Sequence, residues 1–144
     1  GMDIRGHTVQ SVWIEGASDI RREYYASITF DRAARKPLVM LSAVGGMDIE
    51  EVARTQPDAL VRRHIDPLIG FQAHDARWLA YRARIDEDAI GGVIKVLTSL
   101  YRAFIELDAM LVEINPLVVT GDGRVIALDA KVTIDGNSVY RHPE

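Results

Sequence analysis

Two apolar runs late in the chain carry polar side chains at spacings that suit a small, hard cation. Residues 110–119 and 124–132 read as strands on either side of Thr120-Gly121-Asp122-Gly123. Gly121-Asp122-Gly123 fits a three-residue hairpin loop, with Gly123 at the position that needs φ > 0. Counting back from this loop pairs Thr120 with Arg124, Asn115 with Asp129 and Glu113 with Lys131. Directly opposed Cβ atoms lie roughly 4.5–5.5 Å apart, so the Asn115 amide and the Asp129 carboxylate converge on one ion. A carboxylate and a neutral oxygen, completed by phosphates and water, is how Mg²⁺ is usually held in nucleotide sites. Pro116 lacks an N–H and favours an edge strand or a bulge there. A second arrangement produces the same alternation: a water-facing sheet surface on which Glu113 and Lys131 form a cross-strand ion pair. That arrangement is the commoner one in antiparallel sheets, and a register slip of one residue would break the pairing. Spacing alone leaves both open.

The elements that must position these residues follow from periodicity. Residues 8–15 read as a strand stopped by Gly16, and residues 22–31 alternate with a period of two, with Tyr24, Ala26, Ile28 and Phe30 on one face. A polar turn leads to a third strand over residues 38–43. Gly45-Gly46 ends it, and Asp48 caps a short helix to about residue 54. Asp66-Pro67-Leu68-Ile69-Gly70 is loop chemistry. A helix over residues 72–83 is expected to turn Trp78 and Leu79 inward. A longer one, capped by Asp86 or Asp88, has Ile90, Val93, Ile94, Leu97, Leu100, Tyr101, Phe104 and Leu107 on one stripe. Gly91-Gly92 suggests close packing in its first turn, and the tail from residue 135 reads as a turn or short helix. About five strands joined mostly by hairpins, with helices grouped between them, give an α+β class with a mostly antiparallel sheet and packed helices. Neither a Rossmann nor a Walker glycine pattern is present.

The chain has 144 residues, 48% hydrophobic and 26% charged, which suits one compact domain. A net charge of −4 does not support a nucleic-acid or membrane surface. The absence of cysteine excludes a disulfide framework and a thiolate site and is compatible with a reducing, cytoplasmic setting. No apolar run is long enough for a membrane-spanning helix. Gly1-Met2 reads as a tag remnant or an internal cut, and with a strand signal so close behind it the chain is expected to be a fragment.

The run Val112-Glu113-Ile114-Asn115-Pro116-Leu117, the glycine turn, Ala127-Leu128-Asp129-Ala130-Lys131 and Asp135-Gly136-Asn137 together resemble the succinate–CoA ligase beta subunits. Ile14-Glu15-Gly16-Ala17-Ser18-Asp19-Ile20, Gly45-Gly46-Met47-Asp48-Ile49-Glu50-Glu51-Val52-Ala53 and Asp66-Pro67-Leu68-Ile69-Gly70 resemble the same family in the same order, over nearly the whole chain. The resemblance implies an ATP-grasp subdomain, residues 1–144 forming its C-terminal part, with the phosphate-loop lobe and the CoA-ligase domain absent. It implies succinyl-CoA formation from succinate, CoA and ATP (GTP is also possible) with Mg²⁺, through a phosphohistidine on an alpha subunit. Asn115 and Asp129 match the Mg²⁺ ligands of the family. Glu15 and Ser18 lie in the segment that holds the adenine and ribose, Glu23 matches a further nucleotide contact, and Glu113 matches a glutamate near the phosphohistidine. His7, His64, His74 and His142 are then surface or packing histidines. Val44 stands where many relatives of that family carry an acidic residue. The fragment alone is expected not to catalyse. Malate–CoA ligase or another ADP-forming acyl-CoA synthetase remains an alternative, as does a non-catalytic α+β interaction module.

Overall fold

The computed structural model describes residues 2–4, 6–12, 14 and 16–143. A small hairpin, β1 (Asp3–Ile4) and β2 (His7–Thr8), precedes the main sheet. The sheet contains β3 (Ile20–Asp31), β4 (Lys36–Ser42), β5 (Leu60–His64), β6 (Ala109–Thr120), β7 (Val125–Ala127) and β8 (Ala130–Ile134). Its order is β5-β4-β3-β6-β7, with β8 also paired to β6, and every pairing is antiparallel. Helices α1 (Ile49–Thr55), α2 (Ala73–Arg82) and α3 (Ile90–Glu106) complete the α+β fold.

One face of the sheet packs on α2 and α3. Tyr24, Ala26 and Ile28 of β3, Val39 and Leu41 of β4, and Val112, Ile114, Leu117 and Val119 of β6 share a buried cluster with Leu79, Val93, Leu97 and Phe104. The expected stripe on α3 is therefore the helix's core side. Burying a Leu or Val there contributes about 1.5–3 kcal/mol, which outweighs the low helix propensity of Gly91-Gly92. Gly92 does allow close packing, since a Cβ there would overlap the Val125 side chain.

β3 differs from the expected half-buried strand: Tyr24 to Ile28 are buried on both faces. It runs through the middle of the sheet, and Tyr25, Val52, Leu60 and Val118 are buried outside the main cluster.

Several elements depart from the sequence reading. Of the strand expected over residues 8–15, only Thr8 is in a strand, in the small hairpin; residues 9–12 and 14 are not, and Trp13 and Glu15 lie outside the described residues. Apolar content alone makes no strand without a partner ladder. Trp78 is 40% exposed, under Arg63 at 4.8 Å, because the inward positions of α2 are Ala76, Leu79 and Ala80. Neither Asp86 nor Asp88 caps α3, whose N-cap is Ala89; they pair with Arg22 at 3.3 Å and Arg21 at 2.7 Å. β5 was not legible, being five residues with Arg62, Arg63 and His64 on a sheet edge, where charge is common.

The strand expected over residues 124–132 is two strands, β7 and β8, broken at Leu128-Asp129. Opposite the break, Pro116 accepts from the Leu128 N–H at 3.2 Å and has no N–H to return. The pairing of β6 with β3 also shifts here, between Leu117↔Tyr24 and Ile114↔Ala26, so of the edge strand or bulge expected at Pro116 it is the bulge that is present.

Candidate functional site

The register counted from the glycine turn holds on both sides of this break. Leu117 pairs with Ala127, Glu113 pairs with Lys131, and the Asn115 N–H donates to the Asp129 carbonyl at 3.1 Å. Gly123 has φ +81° at the turn, as a left-handed position requires. Asn115 and Asp129 therefore meet across the ladder.

The Asn115 side chain also reaches a second loop. Its Oδ1 accepts the Gly46 N–H at 2.9 Å, and its Nδ2 donates to the Met47 carbonyl at 3.0 Å. Gly45 donates its N–H to the Glu23 carbonyl at 3.1 Å. A Cβ at Gly45 would overlap the Tyr24 backbone, and Gly46 has φ +70° with the Glu23 carboxylate beside it. Beyond the loop, Asp48 caps α1 by accepting the Glu50 N–H at 2.8 Å. The double glycine is thus what lets the loop lie on β3, and it brings Glu23 and Asn115 together. Sequence reasoning missed this role of Asn115, although the glycine pair was the signal for a close backbone approach.

Asp129 is exposed, and its carboxylate has no hydrogen-bond or ion-pair partner among the described residues. The Asn115 oxygen has a second lone pair beside the one that Gly46 uses. The donor set is one neutral oxygen held in place by backbone and one free carboxylate. It suits a cation that arrives with its own phosphate oxygens and waters rather than one enclosed by protein. No group of three or more His, Cys, Asp or Glu residues that could hold a metal occurs among the described residues.

Glu113 is half-buried and does not form the ion pair of the water-facing arrangement. Lys131 opposes it in register but is exposed, and no ion pair joins them among the described residues. Instead the Tyr25 hydroxyl donates to Glu113 Oε2 at 3.1 Å. Burial pushes the Tyr25 phenol up to about 12; the Ser27 hydroxyl opposes the rise and the Glu113 carboxylate adds to it. Ser27 stands directly opposite Glu113 and is fully buried; its Oγ lies near enough to the Tyr25 hydroxyl to oppose the rise but makes no hydrogen bond of good geometry.

Ser18 is half-buried just before the β3 ladder begins at Ile20↔Thr120, at the turn end of β6 and away from Asn115. The neighbouring Asp19 carbonyl accepts the Gly121 N–H at 3.0 Å. Glu23 borders an open groove of about 450 Å³ lined by Ile20, Arg21, Arg22, Ala43, Val44 and Gly45. A larger groove of about 1010 Å³ runs along β5 and α2, and none of Ser18, Glu23, Glu113, Asn115 and Asp129 lines it. His64 bonds Asp31 at 2.8 Å and His142 bonds Asp108 at 3.0 Å, contacts of structural histidines. No helix among the described residues is long and apolar enough to cross a membrane.

A family model described as an ATP-grasp domain matches residues 1–119. The beta subunit of an ADP-forming succinate–CoA ligase from Rubrobacter xylanophilus is 51% identical over 144 residues, all of this chain and 38% of that protein. Its counterpart from Brevibacillus brevis is 47% identical over 139 residues, 96% of this chain and 36% of that one. The chain therefore spans well under half the length of these relatives. Among solved structures, ATP citrate lyase from Methanothrix soehngenii in complex with citrate and coenzyme A superposes with a TM-score of 0.67 at 25% identity, over 88% of this chain and 27% of that one. With the family match running through most of its strands and both halves of the Gly46–Asn115 contact, the chain belongs to the ATP-grasp domain family.

Proposed function

We propose that this chain is the Mg²⁺- and nucleotide-binding part of an acyl-CoA synthetase beta subunit. That subunit forms succinyl-CoA from succinate, CoA and ATP through a phosphohistidine carried by an alpha subunit. The observation that carries the reading is the meeting of Asn115 and Asp129 across the ladder, with the Asn115 amide oriented by Gly46 and Met47. The beta-subunit relatives, 47–51% identical, support it.

Phosphoryl transfer is mostly positioning and neutralisation of phosphate charge. Asn115 Oδ1 and the Asp129 carboxylate would hold Mg²⁺, which when bound neutralises charge on the nucleotide phosphates. Glu23, as an acceptor beside Gly46, suits ribose hydroxyls or an adenine amino group. Ser18 and Glu15, the latter outside the described residues, belong to the same nucleotide-holding role. Glu113 would accept a hydrogen bond from an N–H of the reacting imidazole and stabilise its cationic form.

The residues that choose the acid are not among those assigned here, so malate–CoA ligase or another ADP-forming acyl-CoA synthetase is the alternative. The chain alone is expected to give no succinate-, CoA- and ATP-dependent turnover, the activity belonging to the longer subunit, in the cytoplasm. The test is calorimetry of this chain with ATP and GTP, each with and without Mg²⁺, alongside turnover by the full beta subunit co-expressed with its alpha partner on a panel of acids. Nucleotide binding that ignores Mg²⁺ and is unaltered in Asp129→Asn would reject the reading and favour the non-catalytic module.

A further inference from the structure

On the sheet face that carries Glu113, the registers of four strands line up one row. Met40 of β4 opposes Ser27 of β3, Ser27 opposes Glu113 of β6, and Glu113 opposes Lys131 of β8. Next to this row stands Tyr25, 1% exposed, whose hydroxyl reaches Glu113 Oε2 at 3.1 Å from 88 positions away in the sequence. The other neighbours do not compete for the carboxylate. Among the described residues, Lys131 makes no ion pair with it and Ser27 Oγ makes no hydrogen bond to it.

We propose that Tyr25 is a positioning residue for Glu113: its hydroxyl holds one carboxylate oxygen and leaves the other to face the reacting group. A glutamate has three side-chain torsions and loses much freedom when ordered. A single buried donor on one oxygen removes most of that freedom and fixes the plane of the carboxylate. The donor is also dependable. The ordinary value of a phenol, 10.0, already lies well above neutrality and burial raises it further, so the hydroxyl stays a donor throughout the neutral range. β3 is a central strand buried on both faces, so the donor sits on a rigid element, as precise positioning needs. This inference rests on the reading of Glu113 as the carboxylate beside the reacting imidazole.

The test uses the full beta subunit with its alpha partner and the variants Tyr25→Phe, Glu113→Gln and the double variant. Tyr25→Phe removes only the hydroxyl. It is expected to lower kcat about ten-fold, as loss of a positioning partner does, with KM for the nucleotide within about two-fold. In the Glu113→Gln background the same change is expected to have no further effect, because Tyr25 acts only through that carboxylate. Additive losses would overturn the proposal, since a purely structural tyrosine lowers activity whatever occupies position 113. So would an unchanged kcat in Tyr25→Phe beside a reduced one in Glu113→Gln. Full activity in Glu113→Gln would instead remove the reading of Glu113, and this proposal with it. Should Tyr25→Phe fold poorly, a ring-fluorinated tyrosine at position 25, which keeps the donor, is expected to retain kcat; a ten-fold loss there would count against the proposal.

Discussion

Asn115 Oδ1 accepts the Gly46 N–H at 2.9 Å, a bond between positions 69 apart in the sequence. The residue whose backbone N–H bonds the Asp129 carbonyl therefore also fixes, through its side chain, the glycine loop after β4. An amide anchored in this way presents its oxygen in one orientation. Under the proposed function, loop geometry and ion binding are properties of one amide.

Changes at this amide should separate the two roles. Asn115→Ala removes both loop bonds, and because Gly46 and Met47 are exposed to water the loss of stability is expected to be about 1–2 kcal/mol. Asn115→Asp keeps an acceptor for Gly46 and loses the donor to Met47. It is expected to destabilise the chain while retaining Mg²⁺-dependent nucleotide binding. Asp129→Asn, on an exposed side chain, is expected to leave stability within about 0.5 kcal/mol and to weaken Mg²⁺-dependent binding about ten-fold or more. Denaturant titration and calorimetry on the three variants check this.

Gly45→Ala should be among the most damaging small substitutions. The new methyl would overlap the Tyr24 backbone, which belongs to the central strand and cannot move aside. A loss of about 2–4 kcal/mol is expected. Gly91→Ala, where nothing lies within 4 Å, is expected to stabilise α3 by up to about 1 kcal/mol. Thermal unfolding of the pair distinguishes backbone contact from helix propensity.

Tyr25 carries a pH dependence on the alkaline side. Its folded value, about 12, lies above the ordinary 10.0, so the folded state holds the proton more tightly than the unfolded chain. The linked stability is fully present below pH 10.0 and is lost as pH rises toward about 12. A decline on the order of 1–2 kcal/mol is expected across that window. Tyr25→Phe should flatten it, as read by denaturant midpoints at stepped alkaline pH.

Ser27→Ala is expected to leave stability unchanged or to raise it by up to about 1 kcal/mol. The hydroxyl is fully buried with no hydrogen-bond partner, so its desolvation is uncompensated. A loss above about 1 kcal/mol in chemical denaturation would mean that the hydroxyl has a bonding partner in solution.

The amino-acid sequence by itself determined the local devices. The β6 turn, its φ > 0 glycine and the resulting Asn115–Asp129 pairing were legible because hairpin register follows from loop length, with no distant information. The α3 stripe and the Asp48 cap were legible for the same reason, since periodicity and capping act within a few residues. Tertiary structure decided what depends on partners. It left residues 9–12 out of the sheet, put Arg62 and Arg63 on an edge strand, and sent Asp86 and Asp88 to Arg22 and Arg21 instead of the α3 cap. It joined Asn115 to Gly46 and Tyr25 to Glu113, although both pairs are far apart along the chain. Such contacts follow from strand order and from what buries the second sheet face, and neither is encoded in any short window of residues.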